Sequence, residues 1–140
     1  MASELLASAA RTASGNGSAI TYNRRLGAAR FFLDVTAAAS AVGDTLDVYI
    51  QSSLDGVVWD DFVHFTQVLG NGGAKQFVAS WIRTLAPTTA QRAPRDATLA
   101  AGVEQGPIGN QMRVKWVIVN GGGSHSFTFS LQHEPYRMDA

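Results

Sequence analysis

A period of two runs through this chain and leaves few folds open to it. In Ala29 to Thr36, the residues Ala29, Phe31, Leu33 and Val35 share one face, while Arg30, Asp34 and Thr36 share the other. Successive side chains of a strand point to opposite sides, so this alternation describes a half-buried strand. Phe32 interrupts the polar face, which implies that this face is partly covered. Thr45 to Gln51 repeats the pattern, with Leu46, Val48 and Ile50 inward and Thr45, Asp47, Tyr49 and Gln51 outward. Met112, Val114, Trp116 and Ile118 alternate with Arg113, Lys115, Val117 and Val119. Phe127, Phe129 and Leu131 alternate with Ser126, Thr128, Ser130 and Gln132.

Further strands are expected with less regular patterns. Trp59 to Val68 is rich in aromatic and β-branched residues, but its inward parity is open. Lys75 to Ile82 puts Phe77 and Trp81 on one face and Val78 and Ile82 on the other, as a strand buried on both sides would. A weaker strand is expected near Leu5 to Ala13, where small side chains suit a crowded or edge position. Turn chemistry punctuates these segments. Asp55-Gly56 reads as a type I′ hairpin, and Gly70-Asn71-Gly72-Gly73 and Asn120-Gly121-Gly122-Gly123 read as turns between later strand pairs. No stretch shows a capped helical stripe.

Ala86 to Gly109 stands apart, with Pro87, Pro94 and Pro107 and few large apolar residues. A loop of that length in a compact domain points to function or disorder. It is expected to be an arm that orders against a partner, or else a plain loop, and to add little to a core. Residues 1–20 are a second candidate arm. The fold class that follows is all-β: a single-domain antiparallel β-sandwich, jelly-roll-like, spanning residues 1–140 with a long Pro-containing loop.

Charge and composition remove several functions. Eleven basic and eleven acidic residues cancel and are scattered, whereas a nucleic-acid binder shows a basic excess or stripe. No cysteine is present, so disulfides, thiolate metal sites and cysteine catalysis are excluded. Nothing approaches an apolar run of about eighteen residues, so no membrane helix is expected. Glu4 and a short apolar run make the start a poor signal peptide.

Catalytic constellations fare no better. Ser124-His125-Ser126 lies in a glycine turn, and adjacent strand residues diverge. His125 and His133 share parity but sit at opposite ends of one strand, more than roughly 20 Å apart. Asp60, Asp61 and His64 could cluster, yet two aspartates after a tryptophan read more simply as a solvated strand edge. Asp34 and Asp47 read as surface positions of what could be neighbouring strands. Gly70 to Lys75 lacks the spacing of a phosphate loop. No catalytic, cofactor-binding or metal-binding residue is therefore assigned, no cofactor is expected, and the chain is read as a non-enzyme. Trp81 and Trp116 fall in core phase, while Trp59 is open between core and an exposed platform. Phe32, Tyr49, Val117 and Val119 lie on otherwise polar faces and suggest partial cover by a second subunit or a larger protein shell.

Three stretches carry a family resemblance. They are Ala28-Ala29-Arg30-Phe31-Phe32-Leu33-Asp34-Val35-Thr36; Leu46-Asp47-Val48-Tyr49-Ile50-Gln51-Ser52-Ser53-Leu54-Asp55-Gly56-Val57-Val58-Trp59; and Arg113-Val114-Lys115-Trp116 with Ser126-Phe127-Thr128-Phe129-Ser130-Leu131. With Ser8-Ala9-Ala10-Arg11-Thr12, they resemble the capsid cement (decoration) proteins of tailed bacteriophages. The resemblance implies a jelly roll on the outer face of a capsid that ties neighbouring major capsid subunits together and stabilises the shell. It also implies a homodimer or trimer, assembly in the host cytoplasm and location on the virion, and it carries over no catalytic residues. Ala86 to Gly109 departs from the family's compact pattern. Rival readings are a carbohydrate-binding β-sandwich, which needs Trp59 and Tyr49 exposed in one groove, and a tail or fibre component.

Overall fold

The computed structural model of the chain describes residues 3–22, 26–38, 41–82, 92–104, 109–121 and 125–137. Its strands are β1 (Ser3–Arg11), β2 (Gly15–Asn16), β3 (Ile20–Thr21), β4 (Leu26–Ala37), β5 (Thr45–Ser53), β6 (Asp60–His64), β7 (Val68–Leu69), β8 (Lys75–Ile82), β9 (Gly102–Val103), β10 (Gln111–Val119) and β11 (Phe127–Arg137). The chain is all-β. One sheet, A, has the order β1-β11-β4-β8; the other, B, runs β2-β10-β5-β6-β9, with β3 on β10 and β7 on β5.

The wiring is a hairpin nested inside hairpins. The middle pair is β5–β6; outside it β4 pairs with β8, β2 with β10 and β1 with β11, all antiparallel. Rolled into two facing sheets, this ladder is a jelly roll.

The alternating segments bury the faces their pattern assigns. Phe31, Leu33 and Val35 of β4, with Phe127, Phe129 and Leu131 of β11, face Leu46, Val48 and Ile50 of β5 and Met112 and Val114 of β10. All of them are buried to within 1%. Each side chain of this size removed from water contributes roughly 1.5–3 kcal/mol. Phe62 bridges the layers, edge-on to both Phe31 and Trp81 at 5.9 and 6.2 Å between centroids.

A β-bulge accounts for the open parity of Trp59 to Val68. The β5–β6 register breaks between Ile50 and Gln51, so that Val63 pairs with Ile50 while Asp61 pairs with Gln51. Phe62 and Val63 both enter the core as a result. Within residues 1–20, Ser3–Arg11 and Gly15–Asn16 are strand rather than arm: β1 pairs with β11 along its length, and β2 pairs with β10.

The turns differ from the hairpins expected. Gly56 alone takes a positive φ, 77°, so Asp55-Gly56 is not a type I′ turn. It belongs to a longer loop that Asp55 and Ser53 organise. Gly70 to Gly73 leads from β7 in sheet B to β8 in sheet A, so it crosses between layers and closes no hairpin. Asn120-Gly121 likewise starts the crossing from β10 to β11; Gly122 and Gly123 lie outside the described residues. Asp44 ties these crossings together. Its carboxylate accepts the Gly121 N–H at 2.7 Å, and its carbonyl accepts the Gly70 N–H at 2.7 Å.

Candidate interaction surface

The outer face of sheet B should be polar and wet by its pattern, but over β5 and β6 it is covered, with Tyr49 and Gln51 buried. Residues 92–104 lie across it. Asp61, fully buried, accepts the Gln51 amide at 2.8 Å and three backbone N–H groups, from Ala97, Thr98 and Leu99, at 3.1, 2.9 and 3.2 Å. Ala97 takes a left-handed φ of 59° in this turn. Asp60, 2% exposed, accepts both arms of the Arg92 guanidinium at 2.7 and 2.8 Å and the Arg95 N–H at 2.9 Å. Burial alone would push the Asp60 carboxyl up; the Arg92 guanidinium and the Arg95 amide outweigh it and hold it below the ordinary range.

His64 extends the clamp. One ring nitrogen meets Asp47 at 2.8 Å, the other the Leu99 carbonyl at 2.7 Å, and the ring stacks on Tyr49 at 4.1 Å. Burial pushes the Tyr49 hydroxyl up to about 12, with Asp47 and Asp61 adding to the shift. Asp96 bonds Lys115 at 2.7 Å and Gln51 at 2.8 Å, and Lys115 lowers its carboxyl. The Phe62 carbonyl takes the Glu104 N–H, and β9 pairs with β6, so the segment also supplies the last strand of sheet B.

These contacts correct two expectations. Asp60 and Asp61 are not a solvated edge, because donors arriving from residues 92–99 take up their oxygens. The described part of the Ala86 to Gly109 segment does not project as an arm; it lies on its own sandwich, with Leu99 buried. Residues 86–91 and 105–108 of that segment lie outside the described residues. Chemically the network is a fastening, since its carboxylates accept N–H groups of the same chain. Among the described residues no three His, Asp or Glu converge as a metal-binding group.

The other candidate residues are dispersed. Asp34 is on sheet A and Asp47 on sheet B, so they are not neighbours. His133 packs against Tyr22 and the start of β1, and burial lowers its pKa. Ser124 lies outside the described residues, which leaves the Ser124-His125-Ser126 cluster undescribed as a unit. Trp81 is core. Trp116 is half-buried at the rim, edge-on to Phe129, with its indole N–H donated to the Ala13 carbonyl at 2.9 Å. Trp59 is 8% exposed beneath the Arg113 guanidinium, and Tyr49 is 6% exposed. The exposed aromatic pair needed by a sugar platform is therefore absent.

Several large apolar side chains are exposed. Leu54 and Val57 are 71% and 79% exposed at the tip of the β5–β6 loop. That loop is stiff. The Asp55 carboxylate accepts the Val57 and Val58 N–H groups at 2.8 and 2.9 Å, and Ser53 Oγ accepts the Gly56 N–H at 2.8 Å and donates to the Val58 carbonyl. These amides, Val58 first, hold the Asp55 carboxyl below its usual range. At the opposite end of β5, Leu69 and Val119 flank Thr45 with Val42 nearby, all three more than half exposed. On the outer face of sheet A, Phe32 lies beside Val78, and Ile82 lies two rows away. Sequence reasoning found Phe32 and Val119 through their broken alternation, and missed Leu54 and Val57 because a loop has no period to break.

Comparison with protein-family models, with curated proteins and with solved structures gives no match for this chain.

Proposed function

We propose that this protein is a structural component of a phage virion that binds the outer face of the capsid and cements neighbouring major capsid subunits. The observation that carries the proposal is the β5–β6 loop, in which Leu54 and Val57 stand in solvent on a backbone held by four hydrogen bonds from Ser53 and Asp55. A stiff apolar tip loses little entropy when it seats in a partner. A second exposed apolar set lies at the other end of the sandwich, so one copy can touch more than one subunit. On a repeating lattice such contacts act together, and binding only the assembled shell stabilises it by mass action. The polar groups clamped under residues 92–104 serve the scaffold. The resemblance in the β4, β5, β10 and β11 sequences supports the same reading.

The test is co-sedimentation with shells lacking the protein, comparing the wild type with a Leu54→Asp/Val57→Asp variant. Wild-type protein should bind and raise the temperature at which DNA escapes, and the variant should fold but bind at least about tenfold more weakly. Wild-type protein that leaves DNA release unchanged, or that labels tails and not shells under the microscope, would overturn the proposal.

A further inference from the structure

A jelly roll has sheet edges, and an unprotected edge is a template for another strand. Most edges of this sandwich are blunted. Strand β1 breaks register between Glu4 and Leu6 and again between Leu6 and Ala9. Strands β2, β3 and β9 are two residues long. Strand β8 has none of these devices. Its eight residues pair with β4 in unbroken register, from Ala28 opposite Ile82 to Val35 opposite Lys75. No charge and no proline occurs from Gln76 to Ile82. Among the described residues nothing pairs with its other side, where every second residue aims its N–H and C=O outward. Phe77 to Ser80 border a groove of about 330 Å³ that His64 to Thr66 and Ala101 to Val103 also line.

We infer that the β8 edge is the interface of a two-fold dimer, in which β8 pairs antiparallel with β8 of a second copy to join the two A sheets. The strand is self-complementary in one register. Placing Ser80 opposite the second copy's Ser80 sets Val78 opposite its Ile82, and the reverse by symmetry. Val78 and Ile82, 67% and 68% exposed in the single chain, then cover one another across the join. Their rows continue into both sheets, because Phe32 pairs with Val78 and Ala28 with Ile82, and on β11 Gln132 pairs with Phe32 and Tyr136 with Ala28. The row reads Gln132, Phe32, Val78, then the second copy's Ile82, Ala28 and Tyr136. Two such apolar rows flank a polar centre of Glu134, Arg30 and Ser80 from each copy. No like charges face each other across the axis. The second copy is favoured over a foreign strand because the side chains on this edge satisfy themselves under two-fold rotation.

The dimer is read on purified protein, so its outcome is independent of whether the protein binds a capsid. Sedimentation velocity over roughly 1–100 μM should show a dimer. Ser80→Lys, which sets two ammonium groups opposite each other on an exposed face, should weaken it at least about tenfold while circular dichroism stays unchanged. The chain has no cysteine, so Ser80→Cys should form an intermolecular disulfide on oxidation. Val78→Cys should not, because its equivalents lie four residues out of register. A monomer at every concentration, a dimer indifferent to Ser80→Lys, or cross-linking through position 78 in place of 80 would each overturn the inference. So would a monomer whose Ser80→Lys variant alone loses binding to shells, which would assign the edge to a foreign strand.

Discussion

Tyr49 and His64 stack face to face across the β5–β6 pair, their centroids 4.1 Å apart, on a surface that the strand pattern alone would leave in water. They can do so because the turn at residues 97–99 roofs them, and that turn is held by a single carboxylate beside them, that of Asp61.

Replacing Asp61 with Ala should therefore loosen the turn at residues 97–99. Three backbone N–H groups and the Gln51 amide lose their acceptor, and each buried donor left unpaired costs about 1–3 kcal/mol. Water reaching the freed turn offsets part of this, so a net loss of about 3 kcal/mol is expected in urea unfolding. Hydrogen exchange at residues 97–99 should accelerate more than at β4 or β11.

Acid should destabilise the protein in two stages. Burial depresses the His133 pKa, so the unfolded chain takes up a proton first; stability is present above its unfolded value of about 6.5 and is lost as pH falls through the lower folded value. The carboxyls of Asp55, Asp60 and Asp96 are also depressed, so their contribution is present above about 3.9 and is lost below it. Urea midpoints measured from pH 8 to 3 should fall in those two windows, and His133→Gln should abolish only the first.

Phe31→Ala removes a fully buried ring between Phe62 and His133. The cavity should cost about 3–5 kcal/mol, read from chemical denaturation at constant m-value.

Gly70→Ala and Gly73→Ala should separate crowding from backbone strain. A Cβ at Gly70 would overlap the Ala41 carbonyl and touch Asp44, whereas at Gly73, with φ 74°, it meets nothing within 4 Å. The first should cost about 1–3 kcal/mol and the second about 1 kcal/mol, and a thermal midpoint lower for Gly73→Ala than for Gly70→Ala would refute the steric account.

What the sequence shows clearly is the set of strands and their buried faces, because alternation is a local property. Phe31, Leu33, Val48, Ile50, Val114 and Phe129 all lie where their parity puts them. Which strands share a sheet is not local, and so the glycine turns at 70–73 and 120–121 read as hairpins although they cross between layers. The bulge at Phe62 hides the inward face of β6 by turning two successive residues inside. Asp60 and Asp61 misread for a related reason, since the groups that make their burial tolerable arrive more than thirty residues later, from a stretch whose own composition promises no core. Arg92 and Arg95 around Pro94 are the trace of it in the sequence, two cations in a segment otherwise short of side chains to anchor it.

The nesting of the hairpins also orders events in time. Ser3 lies opposite His133, so the first strand made finds its hydrogen-bonding partner only when the last has been made. During synthesis sheet B can gather around β5 and β6, but β4 keeps one edge vacant until β11 arrives, and β1 must wait beyond that. A chain built this way closes late and all at once, and slow, topology-limited folding is the cost of a shell that joins its beginning to its end.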